Sequence, residues 1–435
     1  IASFALMTVY LPHGPRGEWV MRRIPSVTGF HADHHENPQY PWYQHFSRRR
    51  SVLLLCCGCV LSAASARAAD PNRGLELILS KSYSRSAFDQ ETFDAVWRTW
   101  PEPLRAKAKI ADQEERRKMA FSRYGLTRRP GDESGKPLQF VVDEQGKWSA
   151  NCFSCHGGQV AGKIVPGLPN SRYAIQTLLE ETAAAAQLLK KPLPKPRYSG
   201  TPIPIQTSNG VSNAVTLTYL HLSQRDADLN RLPNPIRPEL IHFDSDPPPW
   251  WRIKKRKRLY ADGFAKKSHR ALMVFLLGRP GGAERFHAAE QDFRDILAWI
   301  ETIEPPKYPF PIDRALAARG RLLFENHCAD CHGTHGEDGS YPEMIVPLKV
   351  VGTDPVRLTG VRRDQREAYE RSWFAYRGKH KVVEQPVGYL APPLDGIWAS
   401  APYFHNGSVP TLRDVLNPRL RPIVWKRSED GYDRE

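Results

Sequence analysis

Long apolar runs are scarce in this chain, whose mean hydropathy is −0.52. The one short run, Ser51 to Ala66, is too brief to span a bilayer comfortably, so no stable membrane span is expected. Cysteine is sparse, with seven in 435 residues, and three of those (Cys56, Cys57, Cys59) fall inside that run. Methionine is rarer still, at five. Acidic residues number 47 against 62 Lys and Arg, and no acidic cluster stands out, so a calcium site built from carboxylates is not indicated. No nucleic-acid-binding motif appears.

What is present organises itself from the N-terminus. Arg48 to Arg50, the apolar stretch to Ala66 and the small-x-small Ala66-Arg67-Ala68 have the three parts of an export signal. A buried helix or a membrane anchor is the alternative for the same stretch. Residues 1–47 read as a spurious extension, so 1–69 are set apart from the fold. That segment holds seven Arg and three acids, so the net charge falls from +15 to +11 without it. An exported or periplasmic protein with an acidic redox partner or an acidic cell-envelope polymer is implied, and nucleic acid is not.

The chain has 38 prolines, too many for an uninterrupted bundle. Residues 70–148 read as a helical N-terminal extension, with Phe88, Phe93, Val96 and Trp97 at near-helical spacing. Further helices are predicted over 171–191, 284–303 and 312–327, the second ending at a connector of Pro305, Pro306, Pro309 and Pro311. A helix leading into the second CxxCH, with a terminal helix packed back on it, is the expected skeleton of the last domain. The fold class expected is mainly α: two cytochrome c-type domains, 149–310 and 311–435, with long irregular loops.

One motif occurs twice: Cys152-Phe-Ser-Cys155-His156-Gly157 and Cys328-Ala-Asp-Cys331-His332-Gly333. Two thiols at this spacing can add across the vinyl groups of a haem, and the next His supplies the proximal iron ligand. A single chance copy at this composition is expected on the order of 0.004 times. Zinc or a disulfide would use the cysteines, but neither explains both histidines. Two covalently bound c-type haems are expected, with His156 and His332 as ligands.

The sixth ligands decide between electron transfer and chemistry. Past the leader the methionines are Met119, Met273 and Met344. No histidine follows His156 until His221, which leaves an open iron at the first haem plausible, although His221, His242, His269 or Met273 could return from a distance. For the second haem the candidates are His335, His380 and His405, with His405 favoured in its turn-rich loop. A histidine bonded to a propionate or to backbone is the other reading of His405. Trp250 and Trp251 could relay electrons or shield dioxygen, with Phe264 a weaker candidate, or all three could be core. The run Lys254 to Arg258 reads as a solvated face or a docking patch.

Residues 150–435 resemble the bacterial di-haem cytochrome c peroxidase superfamily, whose relatives include the methylamine-utilisation di-haem enzyme and the rubber oxygenases. Ala401-Pro402-Tyr403-Phe404-His405-Asn406-Gly407-Ser408 is similar to the family's APY-x-H-(D/N)-G-S signature, and Cys155 to Gly158 with Pro166 to Ser171 is closer to the rubber-oxygenase branch. The resemblance implies a catalytic first haem and an electron-transfer second haem. It implies peroxide, dioxygen or another oxidisable substrate, and a small protein or small molecule as electron donor. It also implies Ca²⁺ near Ser400, Pro402 and Asn170. The family's usual Met ligand beyond the signature is missing, because no Met follows Met344, and a His ligand at His405 replaces it in the rubber-oxygenase branch. A pure electron-transfer protein and a haem-bearing sensor are the rival functions.

Overall fold

The computed structural model describes residues 67–192, 204–235, 238–279, 281–335 and 339–427. The apolar stretch with its three cysteines, most of the expected export signal and the C-terminal Tyr432 to Glu435 lie outside these. The elements that matter here begin with α1 (Pro71–Ser80), β1 (Ser86–Asp89), α2 (Gln113–Tyr124), β2 (Phe140–Val142), β3 (Lys147–Ala150), α3 (Phe153–His156) and α4 (Ile175–Leu188). They continue with α5 (Ala214–Leu222), α6 (Ala283–Ile300), α7 (Arg314–His327), α8 (Ala329–His332), β4 (Ile345–Pro347), α9 (Arg363–Arg371) and β5 (Gly388–Leu390). Helix outweighs strand, as the composition leads one to expect.

The expected helical extension over 70–148 is in fact helix and sheet together. Strands β1, β3 and β2 form an antiparallel sheet with β3 in the centre, pairing Phe88 with Trp148 and Phe140 with Ala150. Phe93, Val96 and Trp97 do lie on helical turns, but Phe88 belongs to a strand whose partner is about sixty residues away. Phe93 stacks on Trp148 with ring centroids 4.3 Å apart. This aromatic core also takes in Leu178 and Ala185 of α4, so it runs across residue 148 rather than stopping there.

Helix α1 starts cleanly. The Asp70 carboxylate accepts from the N–H groups of Asn72 and Arg73, and proline occupies the first turn, where no donor is needed. Its buried face lies on α6, where Arg73 reaches Asp292 at 2.8 Å and Asp295 at 2.5 Å. Gly74 makes the close approach possible, because a Cβ there would sit 2.3 Å from the Asp295 carbonyl oxygen. The second core joins α1 and α6 to Phe153, Trp250, Trp251, Phe264, Tyr369 and Phe374.

The last third is built differently. Asp313 caps α7, yet none of the helix is buried, and Leu316, Leu322 and Leu323 are each more than half exposed. The expected terminal helix does not pack back on it among the described residues. The last helical turn of five or more residues, Leu412–Leu416, instead joins a small cluster with Ala401, Tyr403 and Val409.

Two alanine substitutions test this contrast by chemical denaturation. Gly74→Ala is expected to cost about 1–3 kcal/mol through the clash at α6. Gly320→Ala, on the open face of α7 with nothing within 4 Å of its Cβ, is expected to gain up to about 1 kcal/mol. Equal effects at the two positions would refute the packing described.

Candidate haem-attachment sites

The first CxxCH sits where the two cores meet. Cys152 packs against one and Cys155 against the other, while Phe153 between them is fully buried. Asn151 shapes the turn: its side chain accepts from the Phe153 N–H and donates to the Leu138 carbonyl. Burial pushes the Cys152 thiol up to about 11 and Cys155 to about 12, the latter also facing Cys152 and Asp246. Burial likewise takes His156 down to about 3, so its imidazole is neutral, the form that ligates a metal.

Trp250 stacks on the His156 ring at 4.6 Å and 25°. The indole therefore packs flat against the imidazole expected to hold the iron. The Pro248 carbonyl acts on His156 as a backbone acceptor, although Nδ1 has no partner in full hydrogen-bond geometry.

At the second CxxCH, Cys328, Cys331 and His332 are half-buried like their counterparts at the first, but the residues between the thiols are more exposed, Asp330 standing in solvent where Ser154 is buried. Here the Pro392 carbonyl is 2.7 Å from His332 Nδ1. A carbonyl can only accept, so Nδ1 carries the proton and Nε2 keeps the lone pair that binds iron. Burial, opposed by that bond, lowers the pKa of His332. Both histidines thus lie beside a proline carbonyl from a Pro-Pro sequence, and both fit the proximal role for a haem held on the adjacent thiols. Haem c, when bound, supplies the redox iron.

Trp251 connects the two sites. Its Nε1–H donates to the Asp395 carbonyl at 2.7 Å, and Gly396 (φ 62°) lets the chain pass, since a Cβ there would come within 3.0 Å of that nitrogen. Asp395 is three residues past Pro392. A packed route therefore runs from His156 through Trp250, Trp251 and the 392–395 segment to His332. The sequence marked both tryptophans; the acceptors at Pro392 and Asp395 carried no local signal.

His405 stacks on Tyr389 at 4.3 Å, with Nε2 3.3 Å from the Tyr389 hydroxyl and 3.9 Å from Asp354. Burial drives it to about 4 against the pull of Asp354. No hydrogen bond or ring contact joins it to His332 among the described residues. Met344 lies with Sδ 3.4 Å from Cys331 Sγ, and Met273 is fully buried in the core. His269 is bound to Glu290 at 3.0 Å, His242 lies 2.8 Å from the Asn213 amide, and His335 stacks on Phe324. Phe264 is buried in the core and packs with Tyr219, Tyr260, Tyr369 and Arg357 around a narrow, nearly filled aromatic cleft.

No hydrogen bond among the described residues joins Asn170 to Ser400 or Pro402, the residues named for calcium. The Asn170 amide donates to the carbonyls of Gly125 and Ser154. Ser400 Oγ accepts from Arg252 at 3.2 Å, and a guanidinium there opposes a second cation. Pro402 lies beyond it in the small cluster's turn, where the Tyr403 hydroxyl donates to Ile397.

Trp250→Ala is expected to lower the unfolding free energy by about 3–5 kcal/mol, and Trp250→Phe by less than half as much. Denaturant titration of the two variants checks it, and near-equal losses would deny that ring stacking matters.

Residues 388–426 match the family described as RoxA-like, cytochrome c-like. The chain is 29% identical to an uncharacterised protein, y4iM, of Sinorhizobium fredii, over 48% of this chain and 53% of that protein. It is 25% identical to a second, y4iJ, from the same organism, over 30% of this chain and 32% of that protein. The chain thus spans about half the length of the first relative and a third of the second. Residues 388–426 are thus similar to a RoxA-like cytochrome c segment, a likeness that supports haem c binding.

Proposed function

We propose that the chain is an exported two-haem c-type oxidoreductase that reacts with peroxide or dioxygen at the first haem and feeds electrons from the second. The observation that carries this reading is the packed route between His156 and His332. A route of stacked and hydrogen-bonded groups suits electron passage between two irons, and the aromatic wall of Phe153 and Trp250 at the first site suits chemistry kept away from water.

In this reading His156 holds the first iron from a neutral imidazole braced by Trp250. That iron's other face is proposed to be open to the oxidant. His332 holds the second iron, oriented by Pro392. His405 is the proposed second ligand there. Its neutral imidazole suits the role, at the cost of the Tyr389 contact. Among the described residues no helix is long and apolar enough to cross a membrane; export rests on the leader-like sequence. The electron donor is proposed to be a small protein or small molecule.

A plain electron carrier would use the same route, and spin state separates the two. Electron paramagnetic resonance of the purified holoprotein is expected to show one high-spin haem that changes with peroxide or dioxygen. Replacing Cys328 and Cys331 by Ser should leave that signal in place. Two low-spin haems, indifferent to both oxidants, would overturn the enzyme reading and leave the carrier.

A further inference from the structure

Two buried arginines lack counterions. Arg252 and Arg256 are 7% and 6% exposed, and Nε of each is buried with no hydrogen-bond partner. No carboxylate among the described residues comes within ion-pair distance of either. Arg252 donates to the Ser400 hydroxyl at 3.2 Å, and Arg256 to the Tyr260 carbonyl at 2.6 Å. Neutral acceptors of this kind do not offset a buried charge, whose desolvation penalty is several kcal/mol, on the order of the whole stability of many domains.

Nearby acids are already engaged or held apart. Asp262 is shared by Arg357 and Arg366 at 3.2 and 3.0 Å. Asp395 is held by Lys255 at 2.8 Å. Asp246 is raised to about 7, chiefly by burial, and has an unpartnered oxygen of its own.

The location of the pair is specific. The 390–400 segment is held at one end by the Leu390 N–H bond to the Ala261 carbonyl, just past Arg256, and at the other by Arg252 on Ser400. Between these ends lies Pro392, which orients His332. The electrostatic influence of Arg252 reaches His332, and that of both arginines reaches Tyr341, whose hydroxyl donates to the Ala391 carbonyl.

Resting on the two-haem reading above, we infer that Arg252 and Arg256 seat the propionates of the haem carried by Cys328 and Cys331. A haem brings two carboxylates, and two guanidiniums without a carboxylate partner, flanking the segment that orients its proximal histidine, match them in number and charge. Positive charge beside the iron disfavours the ferric state, so the same pair raises that haem's reduction potential. This biases the second haem toward storing an electron.

The test is a spectroelectrochemical titration of the holoprotein, with each wave assigned by comparison with the Cys328/Cys331→Ser variant. Arg252→Gln and Arg256→Gln are each expected to lower the reduction equilibrium constant of the second haem about tenfold, equivalent to about 59 mV for one electron. Arg256→Gln should leave the first haem unmoved. A second haem indifferent to both substitutions, or a shift confined to the first haem, overturns the inference. Should neither variant accumulate, redox-difference infrared spectra of the wild-type protein decide. Ionised propionate bands coupled to guanidinium modes support the pairing, and protonated propionates, or bands with no guanidinium counterpart, overturn it. A pyridine haemochrome assay giving fewer than two haems per wild-type chain would instead sink the two-haem reading itself.

Discussion

Two adjacent indoles hold the molecule's two CxxCH sites in one body. Trp250 and Trp251 are consecutive and both buried, yet they engage different segments: one stacks on His156, the other hydrogen-bonds to Asp395. Indoles remove large apolar areas from water, and the Trp251 N–H is satisfied, so both rings can be buried without an orphaned donor. Neither histidine's environment is then independent of the other. Anything that shifts the 250–251 turn moves the support of His156 and the segment that orients His332.

The parts of this arrangement that the sequence discloses are those with local signals. CxxCH states its chemistry in five residues, and the prolines from Pro305 to Pro311 announce the break between α6 and α7, because proline cannot continue a helix. The amphipathic face of α6 is equally plain, with Phe293, Ile296 and Ile300 buried as their spacing suggests. Partners that lie far along the chain leave no such trace. Phe88 sits in a helical-looking pattern yet pairs with Trp148 in a sheet, because strand pairing is settled by the partner. The acceptor for His332 is a proline carbonyl sixty residues on, which any residue could supply in principle. Amphipathicity also misleads for α7, whose apolar residues imply a packing partner that the described residues do not provide.

The basic run from Lys254 to Arg258 shows why composition alone describes a surface poorly. Read as a string it suggests a solvated face or a docking patch. In the fold it behaves as a clamp reaching three separate segments. Lys254 bonds Glu304 beyond α6, Lys255 holds Asp395 through both carboxylate oxygens at 2.8 Å, and the N–H groups of Lys257 and Arg258 both donate to Glu343. Arg256 points into the interior, and only Lys257 stands fully exposed. Charges committed to internal acids are poor attractors for a diffusing partner, since their field is largely cancelled at the surface.

The consequence reaches the redox argument. A cation spent on docking acts on encounter rates, whereas a cation buried beside an iron acts on its potential, and less solvent screening makes the second effect larger per charge. This chain places its paired lysines outside and its unpaired arginines inside, within four residues of one another. The outer charges hold the turn that carries Trp250 and Trp251, and the inner ones flank the segment that orients His332, where the proposed pairing puts a haem's carboxylates. One short basic segment thereby ties the geometry of the route between the two histidines to the electrostatics at its far end.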